Sequence, residues 1–277
     1  SPWYFVVASL NELETLKGQL TFPCIMKPTD NAGSHGVVLA HDYEELINFY
    51  EYSYASSRCG KVIVEEYLQG EEVSVEVMVV NGRVNILQIT DKLTTGAPYF
   101  VEMGHCQPSR HSMMMKEQIS KVAIEAVQAV GIDRGPAHVE MMVTARGPIM
   151  IELGARMGGD NITTHLVPLS TGIDMIKATI DVSLGQEPDI RPKLHCGSAI
   201  RYFKVPQGII KSINGIERAE VIPGVKQITF TKSVGDEATS IHCSNDRIGF
   251  VVAQAESVED AVDICETAQN VVKIVVE

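Results

Sequence analysis

"HVEMMVTARGPIMIELGARMGGD", His138 to Asp160, decides how this chain is read. Two apolar runs flank Ala145-Arg146-Gly147, a short break of the kind that folds one strand back on another. Each run carries one glutamate, Glu140 in the first and Glu152 in the second. In a hairpin centred on Arg146, Glu140 falls opposite Glu152 and Met142 opposite Met150, and alternation puts all four on one face. Opposed like charges destabilise a sheet, and methionines rather than lysines flank this pair. A divalent cation shared by both carboxylates resolves the conflict. Mg²⁺ (or Mn²⁺) suits such hard oxygen donors, with substrate phosphates completing its shell. The other readings are two tolerated glutamates on a solvated face, or a register slipped by one. After Glu152 the strand breaks into Gly154, Gly158 and Gly159 around Arg156, a flexible turn beside a carboxylate.

Outward from the hairpin, the N-terminal part alternates strand and helix patterns. "WYFVV" reads as a strand and "SLNELETLKG" as a helix, with Ser9 as N-cap, Glu12 three residues on and Gly18 as stop. "FPCIMKP" is a buried strand ended by proline, "TDNAGSHG" a turn-rich loop, "VVLA" a strand, "DYEELINFYEYSYASS" a helix and "KVIVEEYL" a strand. Asn81-Gly82 between "EVSVEVMVV" and "RVNILQIT" is a strong hairpin signal. A loop of about twenty residues is expected from Asp91 to about Ser112, long enough to be functional or mobile. "KEQISKVAIEAVQAVG" and "GIDMIKATIDVSLG" are helices. From about His195 the chain becomes strand-rich and closes with a helix capped by Ser257 and the strand "VVKIVV".

The 277 residues are 45% hydrophobic, enough for a sizeable core in one large or two modest domains. A formal charge of −12 repels nucleic acid and anionic lipid, so neither is an expected partner. Any anionic ligand must then be held by local cations or a metal. Six cysteines show no metal-ligand spacing and read as reduced thiols of a cytoplasmic protein. No apolar run is long enough to span a bilayer. Ser1-Pro2 directly before an apolar strand points to a chain that begins inside a longer one.

Two further stretches carry candidate chemistry. "IMKPTDNAGSHGV" places Lys27 at the end of a buried strand, before a loop holding Gly33 and Gly36 whose backbone N–H groups could approach phosphate oxygens. An ordinary hairpin with a snorkelling lysine fits the same letters. "VIVEEYLQGEEVSVE" runs a strand into Tyr67-Leu68, Gly70 and Glu72. Its backbone could face a planar base and its carboxylate a ribose; an exposed charged connector is the alternative.

Taken in this order and spacing, the three stretches resemble the ATP-grasp superfamily over about Trp3 to Pro188. The resemblance implies an α+β ATP-grasp fold, two α+β lobes clasping ATP, with a C-terminal strand-rich α+β region. Residues 1–68 would form the small lobe, 69–194 the large lobe with the metal hairpin, and 195–277 the C-terminal subdomain. It implies phosphate contacts from Lys27, Asn31, Gly33, Ser34 and Gly36. Adenine and ribose contacts would come from Glu65, Tyr67, Leu68, Glu72, Met142 and Met150. Mg²⁺ would sit on Glu140 and Glu152, with Arg156 facing the phosphates or substrate. "TDKLTTGAPYFVEMGHCQPS" resembles the dipeptide-forming L-amino acid ligase group, in which a glutamate and a histidine at the spacing of Glu102 and His105 line the amino-acid site. The implied function is an ATP-dependent carboxylate–amine ligase acting through an acyl-phosphate, with Arg156, His105 and Glu102 as catalytic candidates. The implied partners are a carboxylate and an amine substrate, a missing N-terminal domain of the same protein, and compatibly a second copy in a homodimer. A bicarbonate-activating enzyme like biotin carboxylase or carbamoyl phosphate synthetase, or a nucleotide-binding module without turnover, are the alternatives. The sequence departs from many ATP-grasp enzymes at Gly154, where an asparagine also binds metal.

Overall fold

The computed structural model describes residues 1–277. They form two compact units, Ser1–Gln69 with Thr94–Glu102 and Thr239–Arg247, and Gly70–Leu93 with Met103–Ala238 and Ile248–Glu277.

The first unit carries β1 (Tyr4–Val7), α1 (Leu10–Thr15), β2 (Cys24–Pro28), β3 (Val38–Ala40), α2 (Tyr43–Ala55) and β4 (Val62–Glu66). The strands form a four-stranded sheet in the order β1-β4-β2-β3. Helix α1 starts where expected: Ser9 Oγ accepts from the Glu12 N–H, and Glu12 reaches back to the Ala8 N–H. The two bonds satisfy backbone donors that the first helical turn leaves unpaired. Leu13, Leu46 and Tyr50 of the helices pack on Cys24, Met26, Val62 and Val64 to form the core of this unit.

The second unit opens with β5 (Glu71–Val80), β6 (Arg83–Thr94) and β7 (Glu102–Gln107), followed by α3 (Met113–Ala129), β8 (Gly135–Thr144) and β9 (Gly147–Gly154). Next come α4 (Val167–Thr171), α5 (Met175–Ser183), β10 (Gly197–Tyr202) and β11 (Gly208–Asn214). The chain closes with α6 (Ile216–Glu220), β12 (Val225–Phe230), β13 (Glu237–Ala238), β14 (Gly249–Ala255), α7 (Val258–Val271) and β15 (Lys273–Val276). Eight strands form one sheet, β12-β14-β10-β7-β6-β5-β8-β9, and β13-β11-β15 form a small second one.

Asn81 and Gly82 turn β5 into β6 with both residues at positive φ, as an Asn-Gly hairpin requires. The expected twenty-residue loop after Asp91 is a correction: β6 continues to Thr94, and β7 lies mid-sheet between β6 and β10. "EMGHCQ" lacks β-branched residues and carries a glycine, so its strand character comes from two flanking strands rather than from propensity.

The second unit's sheet has two unlike faces. Val73, Val75, Val77, Ile89, Ala137, Val139 and Met141 bury one face against Ile119, Ala123 and Val127 of α3. The alternate residues build a polar face: Glu72, Ser74 and Glu76 on β5; Gln88, Thr90 and Lys92 on β6; and His138, Glu140 and Met142 on β8. One end of that face is sealed by an apolar cluster of Met78 and Leu87 with Ile173, Met175, Ala178 and Val182.

Gly70, at the entry to β5, is dictated by packing: a Cβ there would lie 2.1 Å from the Val143 carbonyl oxygen. Backbone cannot retreat as a flexible side chain can. Gly70→Ala is therefore expected to destabilise the protein by about 1–3 kcal/mol, read as a lower urea midpoint at unchanged m-value.

Candidate functional site

The hairpin of β8 and β9 sets Glu140 directly opposite Glu152. The methionine register is a correction. Met150 faces Met141, and Met142 faces Ile149. The turn holds two residues, Ala145 and Arg146, so near it the pairing is shifted by one from a hairpin centred on Arg146. A bulge between Glu140 and Met141 absorbs an extra β9 residue and brings the acids back into opposition. Met150 consequently packs beside the α3 cluster, away from the polar face. Met142 stays on the polar face, across from Glu72.

Glu140 is held on both oxygens. His138 Nε2 is 2.9 Å from Oε1, and Lys92 Nζ is 3.2 Å from Oε2. Lys92 also lies 2.6 Å from Glu72 Oε1, and its side chain is 2% exposed. His138 Nδ1 is 2.7 Å from Glu76 Oε1, which also accepts from Ser74 Oγ. Glu76 is fully buried, and its Oε2 has no hydrogen-bond partner. Burial alone lowers the His138 pKa, but Glu76 and Glu140 outweigh it and raise it from 6.5 to about 9. Burial alone raises the Glu140 pKa, but Lys92 and His138 hold that carboxyl well below the usual range. The result is a buried chain of alternating charge, Glu76–His138–Glu140–Lys92–Glu72.

A raised folded-state pKa means that the stabilisation from charged His138 is complete below pH 6.5 and is lost as pH rises through about 9. Across that window the unfolding free energy is expected to drop by roughly 3 kcal/mol more in the native protein than in His138→Gln. Urea titrations of both proteins at successive pH values check the difference; parallel curves would refute it.

Glu152 is half exposed, with Arg156 4.0 Å away. Gly154 pairs with His138, and a Cβ on Gly154 would lie 3.1 Å from Arg156 Cγ. The arginine thus folds over the position where the ATP-grasp resemblance led one to expect asparagine. Gly158 is equally constrained: its Cβ would lie 2.7 Å from Glu76 Oε2 and 2.8 Å from His138 Nδ1. Glu140 and Glu152, opposed and oxygen-bearing, fit a hard divalent cation as a two-carboxylate site. No group of three or more His, Cys, Asp or Glu side chains forms a complete cage. Such a cation would need ligands from outside the protein, as a polyphosphate supplies.

On the same unit His105 is buried, with Nε2 3.2 Å from Asp160 Oδ2 and Nδ1 lacking a hydrogen-bond partner. Asp160 and Asn161 both sit at positive φ, an unusual conformation for residues other than glycine. Gln107, two residues along β7, donates to Thr90 and accepts from Ser170.

In the first unit Lys27 and Glu65 form an ion pair at 2.7 Å on adjacent strands. Asn31 pins its loop: Nδ2 donates to the Ser56 carbonyl and Oδ1 accepts from the Ala32 N–H. Gly33, Ser34 and Gly36 all have positive φ. Gly36 also has no room for a Cβ, which would lie 2.7 Å from Ser56 Cβ. Ser34 Oγ donates to the Phe100 carbonyl and lies 3.4 Å from Glu102 Oε2. Ser244 donates to the same Glu102 oxygen and, through its N–H, to the Gly33 carbonyl. Arg247 donates to the Glu102 carbonyl. Tyr67 leans on Phe100 with ring centroids 6.0 Å apart, and Leu68 is buried. Glu102 and His105 therefore have separate partners despite their spacing.

Among the residues of these networks that escaped the sequence reading are Glu76, Lys92, His138, Asp160 and Ser244. Of these, Glu76, Lys92 and His138 left a signal. His138 stands two residues before Glu140, hence on its face of β8. Counting back from Asn81-Gly82 sets Lys92 near Glu72, with Glu76 at the same alternation. Nothing in the sequence marks Asp160 as a partner of His105, or Ser244 as a partner of Gly33.

Residues 20–165 match the ATP-grasp domain, and residues 201–277 match the L-amino acid ligase C-terminal domain 2. The chain is 27% identical over 272 residues to the protein y4rH of Sinorhizobium fredii, covering 96% of this chain and 56% of that one. It is 29% identical over 153 residues to dapdiamide A synthase of Enterobacter agglomerans, covering 52% of this chain and 35% of that one. The crystal structure of an L-amino acid ligase from Bacillus licheniformis superposes with a TM-score of 0.83 at 24% identity, covering 100% of this chain and 68% of that one. The chain thus spans about half or less of the length of these two sequence relatives. No helix is long and apolar enough to cross a membrane.

Proposed function

The chain belongs to the ATP-grasp domain family, whose match takes in more than half of its residues, and from that premise we propose that it serves an ADP-forming ligase that joins amino acids. The observation that carries this reading is the opposition of Glu140 and Glu152 on a polar sheet face, with Arg156 beside the second acid. The match of residues 201–277 to an L-amino acid ligase domain and the likeness to dapdiamide A synthase support amino acids as substrates.

In the proposed reaction a substrate carboxylate oxygen attacks the γ-phosphorus of ATP, the bond to the bridging oxygen breaks, and ADP leaves. An amine then attacks the acyl carbon, phosphate departs, and the nitrogen sheds a proton. In the second unit Glu140 and Glu152 would hold Mg²⁺ or Mn²⁺, which when bound neutralises charge on the polyphosphate. Arg156 suits a transferring phosphoryl group, being planar, cationic and half exposed. His105, oriented by Asp160, would hold a substrate group or accept the amine proton. In the first unit Lys27 and the N–H groups of residues 31–36 suit phosphate oxygens. There Glu102 suits an ammonium and Tyr67-Leu68 a flat base.

The test is ATP-dependent phosphate release by the complete protein, N-terminal domain included, screened over the common amino acids singly and in pairs and over bicarbonate. Release stimulated by particular amino acids and not by bicarbonate is expected. Stimulation by bicarbonate alone, or nucleotide binding with no ADP formed under any condition, would overturn the reading.

A further inference from the structure

Lys92 is a long cationic side chain with a 2% exposed surface, set between two acids on the polar face, 2.6 Å from Glu72 Oε1 and 3.2 Å from Glu140 Oε2. The other oxygen of Glu140 is taken by His138 at 2.9 Å. A divalent ion bound to Oε2 at about 2.1 Å would therefore lie within about 5 Å of the Lys92 ammonium. Like charges that close, away from water, repel strongly.

We propose that Lys92 is the resident counter-cation of the metal carboxylate, holding Glu140 until a metal–nucleotide complex takes its place. This rests on Glu140 and Glu152 being the metal ligands. The exchange has a built-in resting place. Glu72 holds the ammonium at the shorter distance, so Lys92 can release Glu140 without being left unpaired in a buried site. The free ion is then discriminated against, because it brings two positive charges to a carboxylate already neutralised on both oxygens. The ion accompanied by polyphosphate brings its own negative charge and is admitted. The site thereby selects the chelate over the bare cation, and the order of assembly follows from local charge.

The experiment is Mn²⁺ titration followed by electron paramagnetic resonance, without nucleotide and then with ATP. The proteins are the native form, Lys92→Met, Lys92→Arg and the double variant Glu72→Gln/Lys92→Met. The double variant removes one charge of each sign, so it tests the idea even if Lys92→Met fails to fold. Without nucleotide, Lys92→Met and the double variant are expected to bind Mn²⁺ at least about tenfold more tightly than the native protein. Lys92→Arg, which keeps the charge, should match the native protein. If native protein takes up Mn²⁺ with ATP, but neither methionine variant binds it more tightly without ATP, the counter-cation role is wrong and the metal assignment survives. If no protein takes up Mn²⁺ even with ATP, the metal assignment itself fails and the inference with it.

Discussion

Glu152→Gln is expected to lower ATP-dependent ADP formation by about 10³-fold, the effect of losing several kcal/mol of stabilisation of a transferring phosphoryl group. Of the two opposed acids, Glu152 gives the cleaner experiment. Its side chain is 44% exposed, so an amide there disturbs little packing. Glu140 also anchors His138 and Lys92, and its replacement would confound catalysis with folding. The variant should keep the native unfolding free energy to within about 0.5 kcal/mol and show weakened Mn²⁺ uptake in the presence of ATP. A rate within tenfold of native would mean that the opposed carboxylates do not hold the ion on which the proposed chemistry depends.

The second large effect concerns stability. Glu76→Ala leaves a buried imidazolium without its principal anion, and removing one partner of a buried ion pair destabilises by about 3–5 kcal/mol. Glu76 is fully buried and 2.7 Å from His138, so water cannot readily replace the lost carboxylate. Removing both members is expected to be milder, because an apolar pair leaves no unsatisfied charge. Glu76→Met/His138→Leu should thus recover part of the loss, less whatever Glu140 gives up with its histidine. Trp3, the single tryptophan, reports on the first unit only. Amide hydrogen exchange along β5 and β8 is the direct measurement. Unchanged protection there in Glu76→Ala would show that the buried chain of charge contributes little to folding.

Much of this was legible in the sequence because it rests on local signals. Asn81-Gly82 fixed one hairpin, a short polar break another, and side-chain alternation assigned the faces. Glu140 and Glu152 do oppose one another, but for a reason the letters do not carry. A two-residue turn displaces the register by one, and a bulge restores it only on the far side of Met141. A bulge has no composition of its own, so Met150 was assigned to a face that it does not occupy. β7 was invisible for a different reason: a central strand is stabilised by its neighbours, and "EMGHCQ" has little strand character alone. The pairing of Asp160 with His105 and of Ser244 with Gly33 depends on distant segments meeting, which no local pattern encodes.

The route of the chain between its two units has a consequence for synthesis on the ribosome. The polypeptide passes from one unit to the other five times. The glycine loop and Glu102 are made early, yet Ser244 and Arg247, which bond to them, emerge long afterwards. The first unit therefore cannot complete its hydrogen bonding as a nascent chain while the second is still being translated, and no single proteolytic cut between the units would release either one whole.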